Sequence, residues 1–265
     1  MKLLFLGTGA AGGVTGNPLG DPNIRRCSST LVNGELLLDP GPHIFDFAEQ
    51  YGNPDLYAGV RYILCTHSHP DHFCPETVER LIAINPDLVM YGDEAIRRKL
   101  TKLLPEVAAR VNFVPLTHGV WFEFGEYRAL PTHSNHSTGD PAEVTLHHTI
   151  EKDGKRLFYG LDGAWLLRES WNLMRDLEGP YHAMVFDATC GDKPDEFRVF
   201  EHNTLPMLQV MLAGMHSARF HSLTEDTILI ADHLATSLHT DYDTVCERVK
   251  EMGMIVAYDG MELEF

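Results

Sequence analysis

The segment Thr66-His67-Ser68-His69-Pro70-Asp71-His72 constrains this chain more than any other. It sets three imidazoles and a carboxylate within six residues, directly after an apolar run, Arg61 to Cys65, that reads as a strand. A surface histidine run belongs in a polar, tag-like tract, not at the exit of a buried strand. Neutral imidazoles and carboxylates are ligands for zinc, iron or manganese, and one short loop cannot surround a cation alone. Distant parts of the chain must therefore close the site.

The candidates are His133 and His136 in Pro131-Thr132-His133-Ser134-Asn135-His136-Ser137, Asp162 in Tyr159-Gly160-Leu161-Asp162-Gly163, and His233 in Ile230-Ala231-Asp232-His233-Leu234. Each follows an expected strand end. Singly they are ordinary, because an Asp after a strand serves as a turn or cap residue and a lone His as a satisfied polar group. Together they complete a ligand set. A carboxylate bridges two cations through its two oxygens, so Asp162 is the natural joint between a site of His67, His69 and His136, with His133 competing for the third place, and a site of Asp71, His72 and His233. Water on such a pair ionises near neutral pH and becomes a nucleophile, which Asp71 would orient while ligating.

Apolar runs bounded by turn residues predict strands at Leu3 to Leu6, Thr30 to Val32, Glu35 to Leu38 and Arg61 to Cys65. Further strands are expected near Val120 to Leu130, Val144 to Ile150, Arg156 to Tyr159, Ala183 to Phe186 and Thr227 to Ile230. Spacing of three and four predicts helices over Pro75 to Ile84, Glu94 to Leu104, Arg168 to Leu177, Asn203 to Ala213 and Asp241 to Met252. Strands preceding helices in two similar halves, with no low-complexity linker, predict an α/β fold. Its layers form a four-layer αβ/βα sandwich, in one domain over 1–265. Gly7-Thr8-Gly9-Ala10-Ala11-Gly12 fits the GxGxxG pattern of a dinucleotide site, but Gly13, Gly16 and Pro18 follow where a helix would have to start. Those glycines read as a tight turn with close backbone approach.

Lys and Arg number 21 against 38 Asp and Glu, a formal charge of −17, which disfavours general nucleic-acid binding. A small phosphorylated substrate stays open, since a cation cluster reverses the sign locally. The five cysteines are scattered without a CxxC pair, which predicts neither disulfides nor a zinc knuckle and suits a reducing cytoplasm. The apolar start, Leu3 to Leu6, is too short for a secretory signal, and no run reaches the length of a membrane span.

On these residues the chain resembles the metallo-β-lactamase-fold hydrolases, whose HxHxDH signature stands here as His67 to His72. Within that superfamily it is similar to the cyclic-phosphate phosphodiesterases of bacterial phosphonate breakdown. Leu6-Gly7-Thr8-Gly9, Arg25-Arg26-Cys27-Ser28, Leu38-Asp39, Asn135-His136-Ser137, Glu201-His202-Asn203 and Tyr258 to Glu262 carry that similarity. The resemblance implies two divalent ions, Mn or Zn with Fe also suited, held by His67, His69, Asp71, His72, Asp162 and His233. It favours His136 over His133, because Asn-His-Ser matches the family run. It also implies that His202 contacts the phosphate or protonates the leaving oxygen, and that Asp39 supports the metal loop without ligating. Arg25 and Arg26 would then be candidates for a fork on phosphate oxygens.

The departures bear on the substrate. Thr15 to Ile24 lacks the cysteines of the family's structural zinc, so that zinc is expected to be absent. Leu234-Ala235-Thr236 follow His233 where relatives tend to carry a second His, here no nearer than His239, and Gly139 to Val144 lengthens the rim. The expected reaction is hydrolysis of a small phosphodiester or cyclic phosphate. The same ligands would serve a thioester, lactone or lactam hydrolase, and an oxidoreductase or accessory protein can share the fold. A transfer-RNA nuclease of this fold would need a basic arm that a charge of −17 does not offer. A homodimer is in keeping with family habit.

Overall fold

The computed structural model describes residues 1–193, 195–217 and 220–265. They form two compact units: Met1–Leu116 with Thr138–Val144 and Tyr258–Glu264, and Thr117–Ser137 with Thr145–Ala257 and Phe265. Strands β1 (Lys2–Gly7), β2 (Ser29–Val32), β3 (Leu36–Leu38), β4 (Tyr62–Leu64), β5 (Val89–Gly92) and β6 (Asn112–Pro115) belong to the first unit. Strands β7 (Phe122–Phe124), β8 (Tyr127–His133), β9 (Leu146–Lys152), β10 (Lys155–Gly160), β11 (Ala183–Asp187), β12 (Ile228–Asp232) and β13 (Met254–Val256) belong to the second, and β14 (Glu262–Glu264) returns to the first. Helices α1 (Ile44–Gln50), α2 (Pro75–Ile84), α3 (Glu94–Leu103) and α4 (Pro105–Ala108) lie in the first unit, α5 (Arg168–Arg175), α6 (Leu205–Met215) and α7 (Tyr242–Lys250) in the second.

Each unit is built on a seven-stranded mixed sheet, in the order β14-β1-β2-β3-β4-β5-β6 and β13-β12-β11-β10-β9-β8-β7 respectively. The pairing pattern is the same in both. Strands β3 to β6 and β10 to β13 run parallel, while the remaining pairs in each sheet are antiparallel. Parallel strands buried on both faces are near-continuous apolar runs, as in Leu36–Leu38 and Ala183–Phe186. Alternate strand residues meet the helices: Leu37, Ile63 and Cys65 join a cluster with Phe47, Leu81 and Ile96, and Met184, Phe186 and Ala231 one with Leu208, Leu212 and Val249.

The helix over Pro75–Ile84 has the expected limits, with Pro75 as its first residue and Asn85-Pro86 beyond its end. Two expectations are corrected. Val120 to Leu130 is two strands, because Gly125, with φ of 54°, turns the chain between Phe124 and Tyr127. The helix expected from Asn203 starts at Leu205, since Thr204 caps it by accepting from the Met207 amide and the Asn203 side chain is engaged elsewhere.

The glycine turn after β1 does what close approach requires. A Cβ on Gly13 would stand 2.5 Å from the Cys27 amide nitrogen, and one on Gly7 would overlap the Cys27 carbonyl. No helix follows Gly12 before Ile44. Among the described residues no helix is long and apolar enough to cross a membrane.

Candidate metal centre

In the first unit the histidine loop leaves the carboxyl end of β4, the edge at which parallel sheets present ligand sites. Asp39, just past β3 and fully buried at φ of 60°, underlies it. One Asp39 oxygen accepts from the Thr66 amide at 2.7 Å and the other from His72 Nδ1 at 2.8 Å, while the Thr66 hydroxyl reaches both. A carboxylate on Nδ1 fixes the proton there and leaves the lone pair of His72 on Nε2, which lies 3.7 Å from Asp71 Oδ2.

His67 Nδ1 is held by Thr66 Oγ1 at 2.9 Å, and its Nε2 stands 3.1 Å from His69 Nδ1. Two nitrogens each about 2.1 Å from a tetrahedral cation lie roughly 3.4 Å apart, so this spacing fits joint ligation.

The lengthened segment Thr138–Val144 folds with this first unit. Glu143 accepts from the Ser68 amide at 2.7 Å and from the Ser68 and Thr138 hydroxyls, and Lys99 donates to the Ser68 carbonyl. Glu143 therefore braces the residue between His67 and His69. Sequence reading placed the segment at the rim without singling out this carboxylate.

In the second unit the carboxyl ends of β10, β11 and β12 deliver Asp162, Asp187 and His233 to one point, where His202 joins them from the loop before α6. Their donor atoms all lie within 4.8 Å of one another. His202 Nδ1 is 2.7 Å from Asp187 Oδ2 and 3.2 Å from Asp162 Oδ1, and His233 Nδ1 is 3.1 Å from the same Asp162 oxygen. Thr189 Oγ1 sits 2.8 Å from His233 Nδ1, fixing that ring. Burial pulls the His202 pKa down, but the carboxylates of Asp187 and Asp162 outweigh it and lift it to about 11. Burial would likewise raise Asp187, yet the neighbouring imidazoles of His202 and His233 hold its carboxyl far below the ordinary carboxylate range. Two buried carboxylates facing two imidazoles at these distances make a donor set that fits a divalent cation.

The alternatives left by the sequence separate here. The His136 side chain is 2% exposed, with Nε2 3.9 Å from Asp162 Oδ2 and its ring 5.0 Å from that of His202. That of His133 is 35% exposed and turned to Glu169, 3.0 Å away. Asp187 escaped the sequence reading because its only signal, an acid closing an apolar strand, is also that of a turn residue.

Arg26 is a correction. Its guanidinium is buried, donating to Asp46 at 2.7 Å, to Asp259 at 3.3 Å and to the Asn17 carbonyl, and so has no face for phosphate. Arg25 is buried too, against Thr8 Oγ1 at 2.6 Å. These arginines tie the glycine turn to Asp259 near the chain's end. Burial and then the Asp71 charge push the Cys27 thiol up to about 11, so it stays protonated at neutral pH.

The family model described as "Beta-lactamase superfamily domain" matches residues 35–238. Among solved structures, a diphosphatase from the PhnP family is similar at 19% identity and a TM-score of 0.72, over 100% of this chain and 97% of that one. Zn(2+)-bound PqqB from Methylobacterium extorquens gives 18% and 0.67, over 100% of both chains. Human tRNase Z, short form, gives 17% and 0.65, over 100% and 99%. No curated protein matches the sequence.

Proposed function

Because the chain belongs to the β-lactamase superfamily, we propose that it is a metal-dependent phosphodiesterase acting on a small phosphodiester or cyclic phosphate. The observation that carries this reading is the convergence of Asp162, Asp187, His202 and His233 at the strand ends of the second unit. The diphosphatase and the tRNase among the similar structures add weight to phosphorus over carbonyl chemistry.

Two divalent cations, Zn or Mn, would be held by His67, His69, Asp71, His72, His136, Asp162 and His233. When bound, such ions polarise a phosphoryl oxygen and lower the pKa of water. Asp39 keeps His72 in the ligating tautomer. Glu143 and Thr66 keep the loop in shape. His202 is the most open member of its cluster, its side chain 13% exposed against 0–2% for the others. With Nδ1 turned to Asp187, it offers Nε2 to substrate and holds a proton there for the departing oxygen. Against the lowering effect of burial, the Asp187 carboxylate raises the pKa of this ring.

Prolonged chelation followed by an assay on bis-p-nitrophenyl phosphate tests the reading. Hydrolysis is expected to disappear and to return with added Zn or Mn. Undiminished hydrolysis after all metal is stripped overturns metal dependence, and turnover confined to thioesters or lactones overturns the choice of phosphorus.

A further inference from the structure

Six residues other than glycine hold a positive φ among the described residues: Asn33, Asp39, Asp153, Asp162, Trp165 and His233. Asn33 and Asp153 precede glycines in hairpin turns, where short polar residues tolerate this conformation. Asp39, Asp162 and His233 belong to the candidate metal centre. That leaves Trp165, at φ of 54°, a bulky residue for which the left-handed region is a costly outlier.

Its backbone is clamped there from two sides. The Trp165 amide donates to Asn203 Oδ1 at 2.9 Å, Asn203 Nδ2 donates to the Gly163 carbonyl at 2.8 Å, and Asn135 Nδ2 to the Ala164 carbonyl at 2.7 Å. Asn135 immediately precedes His136 and Asn203 immediately follows His202, so the strap from Asp162 to Trp165 is tied to both histidines. The strain is spent on placing the indole, 42% exposed, on the wall of a groove of about 460 Å³ shared with Phe200, Met207 and Val210. Phe200 and Val210 are 78% and 61% exposed, and Asn135 and Thr204 are polar members of the lining.

We propose that this groove is a substrate subsite that takes a planar aromatic substituent of the phosphoester, stacked on Trp165. The proposal rests on the phosphodiesterase reading. The groove's volume suits a nucleobase-sized or aryl group, its lining is apolar and aromatic, and two of its lining residues, Asn135 and Thr204, stand one and two positions from His136 and His202 in the chain. The strap's hydrogen bonds to Asn135 and Asn203 fix the Trp165 backbone relative to the residues beside those two histidines. Sequence-tolerant stacking of this kind favours flat π-systems over flexible alkyl chains.

Two substrates with the same reacting group decide it: 2′,3′-cyclic AMP, which carries a base, and glycerol 1,2-cyclic phosphate, which does not. Trp165→Gly removes the ring and suits the backbone, since glycine adopts φ of 54° without strain; Trp165→Phe keeps an aromatic face. The ratio of kcat/KM for the two substrates is expected to fall about tenfold in W165G, through KM, and to recover in W165F.

Adenosine 5′-phosphate is also expected to quench the tryptophan fluorescence of the wild type and not of W165F, because Trp121, against Arg128, and Trp171, against Phe220, do not line the groove. An unchanged substrate ratio together with no quenching overturns the subsite. A concentration-dependent dimer that W165G abolishes overturns it too, by giving the groove to a second copy of the chain. If the wild type hydrolyses neither cyclic phosphate nor bis-p-nitrophenyl phosphate, the phosphodiesterase reading fails, and quenching by adenosine 5′-phosphate alone then decides the groove.

Discussion

Replacing Asp39 by Asn separates a buried strand-end acid from one that governs a ligand. The side chain keeps its shape but one of its two acceptor oxygens becomes a donor. If the amide nitrogen takes the His72 side, Nδ1 must accept and the imidazole proton moves to Nε2, the atom left for a cation. If it takes the other side, it faces the Thr66 amide, now 2.7 Å from a carboxylate oxygen, and a buried donor is left unpaired at about 1–3 kcal/mol. Loss of the group behind a ligating imidazole weakens metal binding by about 10–100-fold. At a fixed saturating zinc concentration, the stabilisation that zinc confers should therefore shrink by about 1.4–2.7 kcal/mol. Competition against a chromophoric chelator reads the affinity, and thermal unfolding with and without zinc reads the stabilisation. A variant that melts lower without zinc, yet gains as much from zinc as the wild type, refutes the reasoning and leaves Asp39 as an acid that merely shapes the loop.

Other outcomes follow from the same contacts. His147, buried in β9 against Phe158, has its pKa lowered to about 4, chiefly by burial. Its folded value lies below its unfolded one, so the stability it contributes is present above pH 6.5 and lost as the pH falls toward 4, by about 3 kcal/mol at the limit; urea unfolding of metal-free wild type should show that extra loss, and His147→Leu should not. A Cβ on Gly163 would meet His147 Nε2 and Ser134 Oγ at 2.7 Å. Gly163→Ala is therefore expected to cost about 1–3 kcal/mol and to weaken metal binding by shifting Asp162; equal chelator competition in both proteins would show that the loop absorbs the methyl.

What the sequence disclosed was whatever it concentrated. His67 to His72 stood out because four donors share one loop, and α2 because its Pro75 start and Asn85-Pro86 end are local signals. The two sheets followed from apolar runs ahead of helical ones. What escaped was short or remote. Strand β6 is four residues with an exposed or half-exposed pattern and no alternation to detect, and α1 spans seven residues. Arg26 was misread because the acids that engage it, Asp46 and Asp259, stand 20 and 233 positions away. Side by side in sequence, two arginines look like a fork for an anion. Only the fold shows that one of them is a buried clasp.

The strand-end acids carry the harder lesson. Asp39, Asp162, Asp187 and Asp232 each lie at or just beyond the carboxyl end of a parallel strand, and in composition they are indistinguishable. What sets Asp39, Asp162 and also His233 apart is a left-handed backbone, which turns the side chain sharply back over the strand end. Aspartate tolerates that conformation without a glycine to announce it, so no residue code marks the place. Trp165 shows the same conformation in a residue that does not tolerate it easily. A site built this way is therefore legible as a set of residue types, while the aim of each side chain is set by backbone torsions that remote hydrogen bonds, such as those of Asn135 and Asn203, hold in place.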